Sequence, residues 1–303
     1  LFGRVLHGLE LTGIVPRIVQ CDDHGWSRRS LAVVAGITPS GEPPVDAQPS
    51  ASSAAVGLDL WLVRLDDLFA SEGGSVAPSG ADEAARAARI ADPVVRSRYL
   101  ASRRLLRGIL AQRLQREPDA LEFKVSHHGK PMLVADDGPT LHFNLSHAGG
   151  WLLIATRIGG PIGVDLEFPR SGIDLERLAR RVFSPAEQAG LQRATERSAA
   201  AGQHWFFSCW TRKEALLKCL GTGFAGGASA FEVDVEPTMH TVSTPGHGYG
   251  SVCVTSLALP ELPAASGRAH AAVAWPSYER SATASQGTEG GAVLRRHWLE
   301  PTA

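Results

Sequence analysis

The run Ile162-Gly163-Val164-Asp165-Leu166-Glu167-Phe168 places two carboxylates two residues apart in a strand-like stretch. Side chains alternate between the faces of a strand, so Asp165 and Glu167 share one face. Two acids there repel, and crowding them is costly unless a cation compensates; a hard divalent ion such as magnesium is the usual one. The competing reading is a polar strand face turned to solvent. A second group is Trp210-Thr211-Arg212-Lys213-Glu214-Ala215-Leu216-Leu217-Lys218, a good helix former with Glu214 and Lys218 at i, i+4. A surface ion pair at that spacing contributes only about 0.3–0.5 kcal/mol, so stability is a weak reason for it.

Two shorter groups accompany these. Phe143-Asn144-Leu145-Ser146-His147 sets the chain's single asparagine beside a serine and a histidine, just before a strand expected at Trp151. Gly129-Lys130-Pro131 reads as a turn, and Gly221-Thr222-Gly223 as a helix C-cap rather than a phosphate cradle. The basic residues are skewed: Lys124, Lys130, Lys213 and Lys218 are the only lysines among 30 basic side chains. Arginine is a planar fork and lysine a compact point charge, so in such a chain a lysine marks a place where an ammonium group is needed.

The elements that must position these residues follow from periodicity. Leu58 to Leu65 alternates as a strand with one buried face. A helix from Pro93 to about Gln115 carries the stripe Tyr99, Leu106, Leu110, Leu114, with most of its arginines expected on a solvated face. Strands are expected at Trp151–Thr156 and Ile162–Phe168, and a helix through Leu175, Leu178, Ala179 and Val182. Ser184-Pro185-Ala186-Glu187 is a capping box that opens another helix. Strands return at Phe231–Val235, Gly250–Leu257 and Ala271–Trp275. This order is α+β rather than a strict βαβ alternation. Residues 1–57 form an N-terminal extension ending in a Pro/Ser/Ala-rich linker, and residues 277–303 a flexible tail.

With 303 residues, 44% of them hydrophobic, the chain can bury a substantial core. Its 30 basic and 31 acidic side chains nearly cancel, so no overall field recruits nucleic acid or an anionic membrane. The four cysteines lack a C-x-x-C pair, and no apolar run suits a membrane span; free thiols and a cytoplasmic location are expected.

The types, order and spacing of these motifs resemble the 4′-phosphopantetheinyl transferases of the longer, surfactin-synthetase-activating type, over roughly Leu58 to Trp275. The resemblance implies a pseudo-dimer of two similar α/β halves, here 58–160 and 161–276, with the active site between them. It implies that the 4′-phosphopantetheine of coenzyme A passes to a serine of an acyl or peptidyl carrier protein, with release of 3′,5′-ADP. Asp165, Glu167 and Glu214 match the family's magnesium ligands, and Glu214 is also the candidate base. Lys218 matches the lysine at the pyrophosphate. Ser146 and His147 match hydrogen-bond donors to the coenzyme phosphates, and Lys130 a lysine near the adenosine end. Arg98 and Arg103 are candidates for the 3′-phosphate. A pseudo-dimeric chain can complete its site as a monomer. Two rival readings are a non-catalytic coenzyme-A or carrier-binding module on the same scaffold, and another magnesium-dependent phosphoryl or nucleotidyl enzyme.

Overall fold

The structure, a computed structural model, describes residues 17–20, 27–30, 57–66, 78–134, 140–223, 227–236, 238–260, 262, 268–277 and 293–300. Helices and antiparallel sheets are mixed, as the α+β reading expects. The chain divides into two compact units, one of Leu1–Ser50, Trp61–Leu121 and Arg295–Ala303, the other of Ala51–Leu60 and Glu122–Leu294.

In the first unit, strand β1 (Arg17–Gln20) pairs antiparallel with β2 (Ser27–Ser30) and with β12 (Val293–Glu300). These strands lie in segments that the sequence reading leaves as an extension and a tail. Strand β3 (Gly57–Arg64) runs across the division between the units. It corrects the expectation of one buried face: Leu58 to Val63 are all buried, so neither face of the strand is open.

Helix α1 (Ala81–Ala88) is followed by α2 (Pro93–Leu114), close to its expected bounds. Asp92 caps α2 by accepting from the amides of Val94 at 2.8 Å and Val95 at 3.1 Å. The solvated basic face holds only in part. Arg107 is buried, donating to Glu83 at 3.1 Å and to the carbonyls of Pro118 and Leu121, and Arg103 reaches the same carboxylate at 3.3 Å. Glu83 is itself buried, and a buried carboxylate recruits cations that sequence spacing assigns to solvent.

The second unit opens with a hairpin of β4 (Phe123–Val125) and β5 (Pro131–Leu133), which the periodicity reading lacks. Its turn is closed by Ser126 N–H to Lys130 O at 2.8 Å, with Gly129 at φ 81°. A longer hairpin follows, β6 (Leu141–Ala148) and β7 (Trp151–Ile158). Gly149 and Gly150, at φ 54° and 82°, make its two-residue turn, a conformation that non-glycine residues rarely adopt. The Asn144 to His147 motif therefore lies within a strand rather than ahead of one.

A four-stranded antiparallel sheet runs β8 (Gly163–Glu167), β11 (His270–Ser277), β10 (Ser251–Ser256), β9 (His240–Ser243). Helix α3 (Leu175–Val182) and α4 (Pro185–Arg197) lead into the long α5 (Ala199–Leu220). Apolar side chains of α5, among them Phe206, Phe207, Leu216 and Leu217, pack with Val252, Val254, Ala272 and Ala274 of the sheet to form the core. Both expected caps are present: the Ser184/Glu187 capping box on α4, and Gly221 at φ 74° closing α5.

No strand forms at Phe231–Val235, contrary to the alternation there. Its backbone groups are bonded by side chains instead of a ladder. Lys213 Nζ donates to Phe231 O at 2.5 Å, Val233 N–H donates to Glu187 at 2.8 Å, Asp234 N–H donates to His240, and the buried Arg212 guanidinium donates to the carbonyls of Asp234 and Glu236.

Candidate active site

Strand β8 reaches its place because residue 163 has no side chain. A β-carbon there would lie 2.0 Å from Ala215 O and 2.4 Å from Cys219 N, so glycine alone lets the strand rest against the backbone of α5. The other side of β8 is tied to β6 by the lone asparagine: Asn144 Oδ1 accepts from Val164 N–H at 2.8 Å. β8 is an edge strand of its sheet, and this side chain supplies a partner that a ladder strand otherwise would. Sequence scarcity drew attention to Asn144; the role is visible only in three dimensions.

These contacts bring the sequence-predicted residues together. Asp165 is buried on β8, and its Oδ1 receives the Lys218 ammonium at 2.6 Å and the Ser146 hydroxyl at 2.9 Å. Lys218 Nζ also lies 3.2 Å from Ser146 Oγ, which accepts from it. Asp165 Oδ2 is buried and has no hydrogen-bond partner among the described residues. The lysine thus pairs across elements with Asp165, whereas its spacing along the helix points to Glu214.

Glu214, one turn before Lys218, is half-buried, and its carboxyl is pushed up to about 7. Burial is the main cause, followed by the charge of Asp165; Glu167 adds to the rise and Lys218 opposes it. Glu167 is also raised, by burial and then by Asp165, against a pull from Arg170, Lys218 and a hydrogen bond with Trp210. Its Oε2 accepts from Arg170 at 3.2 Å. Two carboxyls raised by burial and by the charge of Asp165, with the buried Asp165 Oδ2 beside them, are donor chemistry suited to a hard divalent cation. In the arrangement seen here Lys218 holds Asp165 and Arg170 holds Glu167, and among the described residues no three His, Cys, Asp or Glu side chains are gathered for a metal.

The remaining candidates separate. His147 follows Ser146 on β6 and is exposed where Ser146 is buried, as strand alternation requires. Lys130 donates to Lys218 O at 2.5 Å and to Ile162 O at 3.1 Å. Arg98 pairs with Asp66 at 2.7 Å and Arg103 with Glu83, both in the first unit. Lys213 points away into the core: it is buried in a 2.7 Å ion pair with Glu187.

Comparison with known proteins gives this geometry a lineage. Residues 161–298 match the model of the 4′-phosphopantetheinyl transferase superfamily, and residues 79–159 match that of the 4′-phosphopantetheinyl transferase N-terminal region. The chain is 38% identical over 182 residues to the 4′-phosphopantetheinyl transferase HetI of Nostoc sp., a match covering 59% of this chain and 74% of that protein. The chain belongs to the 4′-phosphopantetheinyl transferase superfamily. It is also 35% identical over 145 residues to the 4′-phosphopantetheinyl transferase psf-1 of Bacillus pumilus, covering 47% of this chain and 58% of that one. With the 4′-phosphopantetheinyl transferase Sfp of Bacillus subtilis it shares 31% over 129 residues, 43% of this chain and 54% of the other. It thus spans a little over half the length of these two Bacillus relatives of the superfamily. Both matched regions fall on the motifs singled out above: the first contains Asp165, Glu167, Glu214 and Lys218, the second Lys130, Ser146 and His147.

Proposed function

We propose that this chain transfers the 4′-phosphopantetheine moiety of coenzyme A to a serine of an acyl or peptidyl carrier protein, releasing 3′,5′-ADP. The observation that carries the reading is the Lys218–Asp165–Ser146 constellation, a buried carboxylate that holds an ammonium and a hydroxyl beside two further acids. Family membership supplies the reaction class. The abutting family matches, ending at residue 159 and starting at 161, support a plan of two halves, with Ser146 drawn from one and Asp165, Glu214 and Lys218 from the other.

Asp165, Glu167 and Glu214 would hold magnesium, which when bound would supply Lewis-acid polarisation of the diphosphate. The chain's own residues do the rest. Lys218 places a positive charge where the pyrophosphate of coenzyme A must sit, offsetting negative charge that builds on the departing 3′,5′-ADP. Ser146 and His147 would donate to the phosphates, Ser146 by turning its hydroxyl from Asp165; Lys130, Arg98 and Arg103 are each engaged by protein groups as well. The carrier serine attacks the β-phosphorus; its O–P bond forms as the bond to 3′,5′-ADP breaks, and the bonding pair leaves with the nucleotide. Glu214 takes the serine proton. In the metal-free chain burial and Asp165 push that carboxyl up to about 7.

Among the described residues no helix is long and apolar enough to cross a membrane. We place the enzyme in the cytoplasm, acting as a monomer. The decisive experiment incubates the full chain with coenzyme A, magnesium and several apo-carrier proteins, and reads intact mass. A gain of one phosphopantetheine on a carrier is the expected result. Coenzyme A binding without mass gain on any carrier overturns the proposal in favour of a non-catalytic binding module.

A further inference from the structure

Two backbone segments of the site meet at one ammonium group. Lys130 Nζ donates to Ile162 O at 3.1 Å, just before strand β8 begins, and to Lys218 O at 2.5 Å, in the last turn of α5. The carbonyls of a helix's last turn lack helical partners and carry the negative end of the helix dipole, so a cation there satisfies both needs. Lys130 is itself held: its carbonyl accepts from Ser126 N–H at 2.8 Å, and its amide donates to Ser126 Oγ at 3.0 Å. Its stem runs past the C-cap of α5, with Lys130 Cδ 3.8 Å from where a β-carbon on Gly221 would lie. Gly163 lets β8 and α5 touch, and Lys130 bridges the carbonyls on either side of that contact.

We infer that Lys130 is a positioning residue: by clamping Ile162 and Lys218 through their carbonyls, it sets Asp165 on β8 against Glu214 and Lys218 on α5. The inference rests on the transferase reading above for its kinetic consequence, but the clamp itself is independent of it. A role in holding the adenosine end of coenzyme A predicts a different kinetic signature.

Lys130→Met keeps the stem and removes the charge. Positioning predicts that kcat falls tenfold or more while KM for coenzyme A stays within twofold, and that amide exchange at Leu220 and Gly221 quickens at least tenfold. Lys130→Arg, which can still donate to both carbonyls, should recover most of kcat. A rise in KM with kcat and exchange unchanged would assign Lys130 to the coenzyme instead, and unchanged kcat, KM and exchange would overturn any role. If Lys130→Met fails to fold, Lys130→Leu, a shorter apolar side chain that donates to neither carbonyl, is read in the same way; failure of both to fold while Lys130→Arg is active would overturn the clamp as a local device. Exchange is measured without substrate, so a wild-type chain that transfers nothing sinks the transferase reading while leaving the clamp to be judged on exchange alone.

Discussion

Lys218 reaches past its own helix: its ammonium sits 2.6 Å from Asp165 Oδ1, on a strand, and not on Glu214 one turn earlier. Glu214 is half-buried, and burial first and then the charge of Asp165 push its carboxyl up to about 7, with Lys218 opposing the rise. Removing the ammonium should therefore do more than delete one charge. Lys218→Met is expected to lower kcat/KM by roughly 10²–10³, the usual loss for a group that stabilises developing charge. Steady-state kinetics with an accepted carrier checks this, and a loss under fivefold would remove Lys218 from the chemistry.

Glu214 should titrate near neutrality in the metal-free protein, because burial and Asp165 both disfavour its charged form. Carbon-13 NMR of side-chain-labelled glutamate should show one carboxyl with a midpoint about 7. Adding magnesium should move that midpoint down, since a cation favours the carboxylate. Glu214→Gln should abolish the resonance and lower kcat by about 10²–10⁴, the range for loss of a general base.

The buried pair Lys213–Glu187 should matter for stability rather than for turnover. Lys213→Met leaves a buried carboxylate without its cation and removes the ammonium donor from the carbonyls of Ala228 and Phe231. Losing one partner of such a pair costs about 3–5 kcal/mol. Urea unfolding should show this as a lower midpoint at unchanged slope.

Two glycines should respond in opposite directions. Gly163→Ala would set a β-carbon 2.0 Å from Ala215 O, backbone that cannot yield without parting β8 from α5. Overpacking of this kind costs about 1–3 kcal/mol or more, and activity should fall with it. Gly108, inside α2, has nothing within 4 Å of its position for a β-carbon. Gly108→Ala should stabilise by about 0.5–1 kcal/mol through helix propensity. Thermal unfolding of the pair tests both.

Acid sensitivity should trace in part to His270. Burial lowers its imidazole to about 4, helped by His204 and Arg268, from an unfolded value of about 6.5. The folded state therefore favours the neutral ring. That contribution is fully present above about pH 6.5 and is lost as pH falls toward about 4, amounting to roughly 3 kcal/mol. Unfolding free energies measured across this window should fall less steeply in His270→Gln than in the parent; equal slopes would discount the histidine.

Local patterns carried much of this molecule. The capping box at Ser184, the C-cap at Gly221 and the bounds of α2 are set by neighbours within a few residues, where chemistry and spacing are both visible in the chain. Phe231–Val235 shows the limit: its alternation is that of a strand, but Arg212, Lys213 and Glu187 bind its backbone groups, and no local rule foresees them. β3 shows another, since alternation cannot report that both faces are covered.

The same division runs through the site. The sequence by itself determined which residues are chemically equipped: two acids on one strand face, a glutamate and a lysine on one helix, and a serine beside the only asparagine. Only the tertiary structure decided their partners. Lys218 belongs to Asp165, Lys213 to Glu187 and Lys130 to two carbonyls, because ammonium groups go to the negative atoms that folding leaves within reach, whatever their distance along the chain.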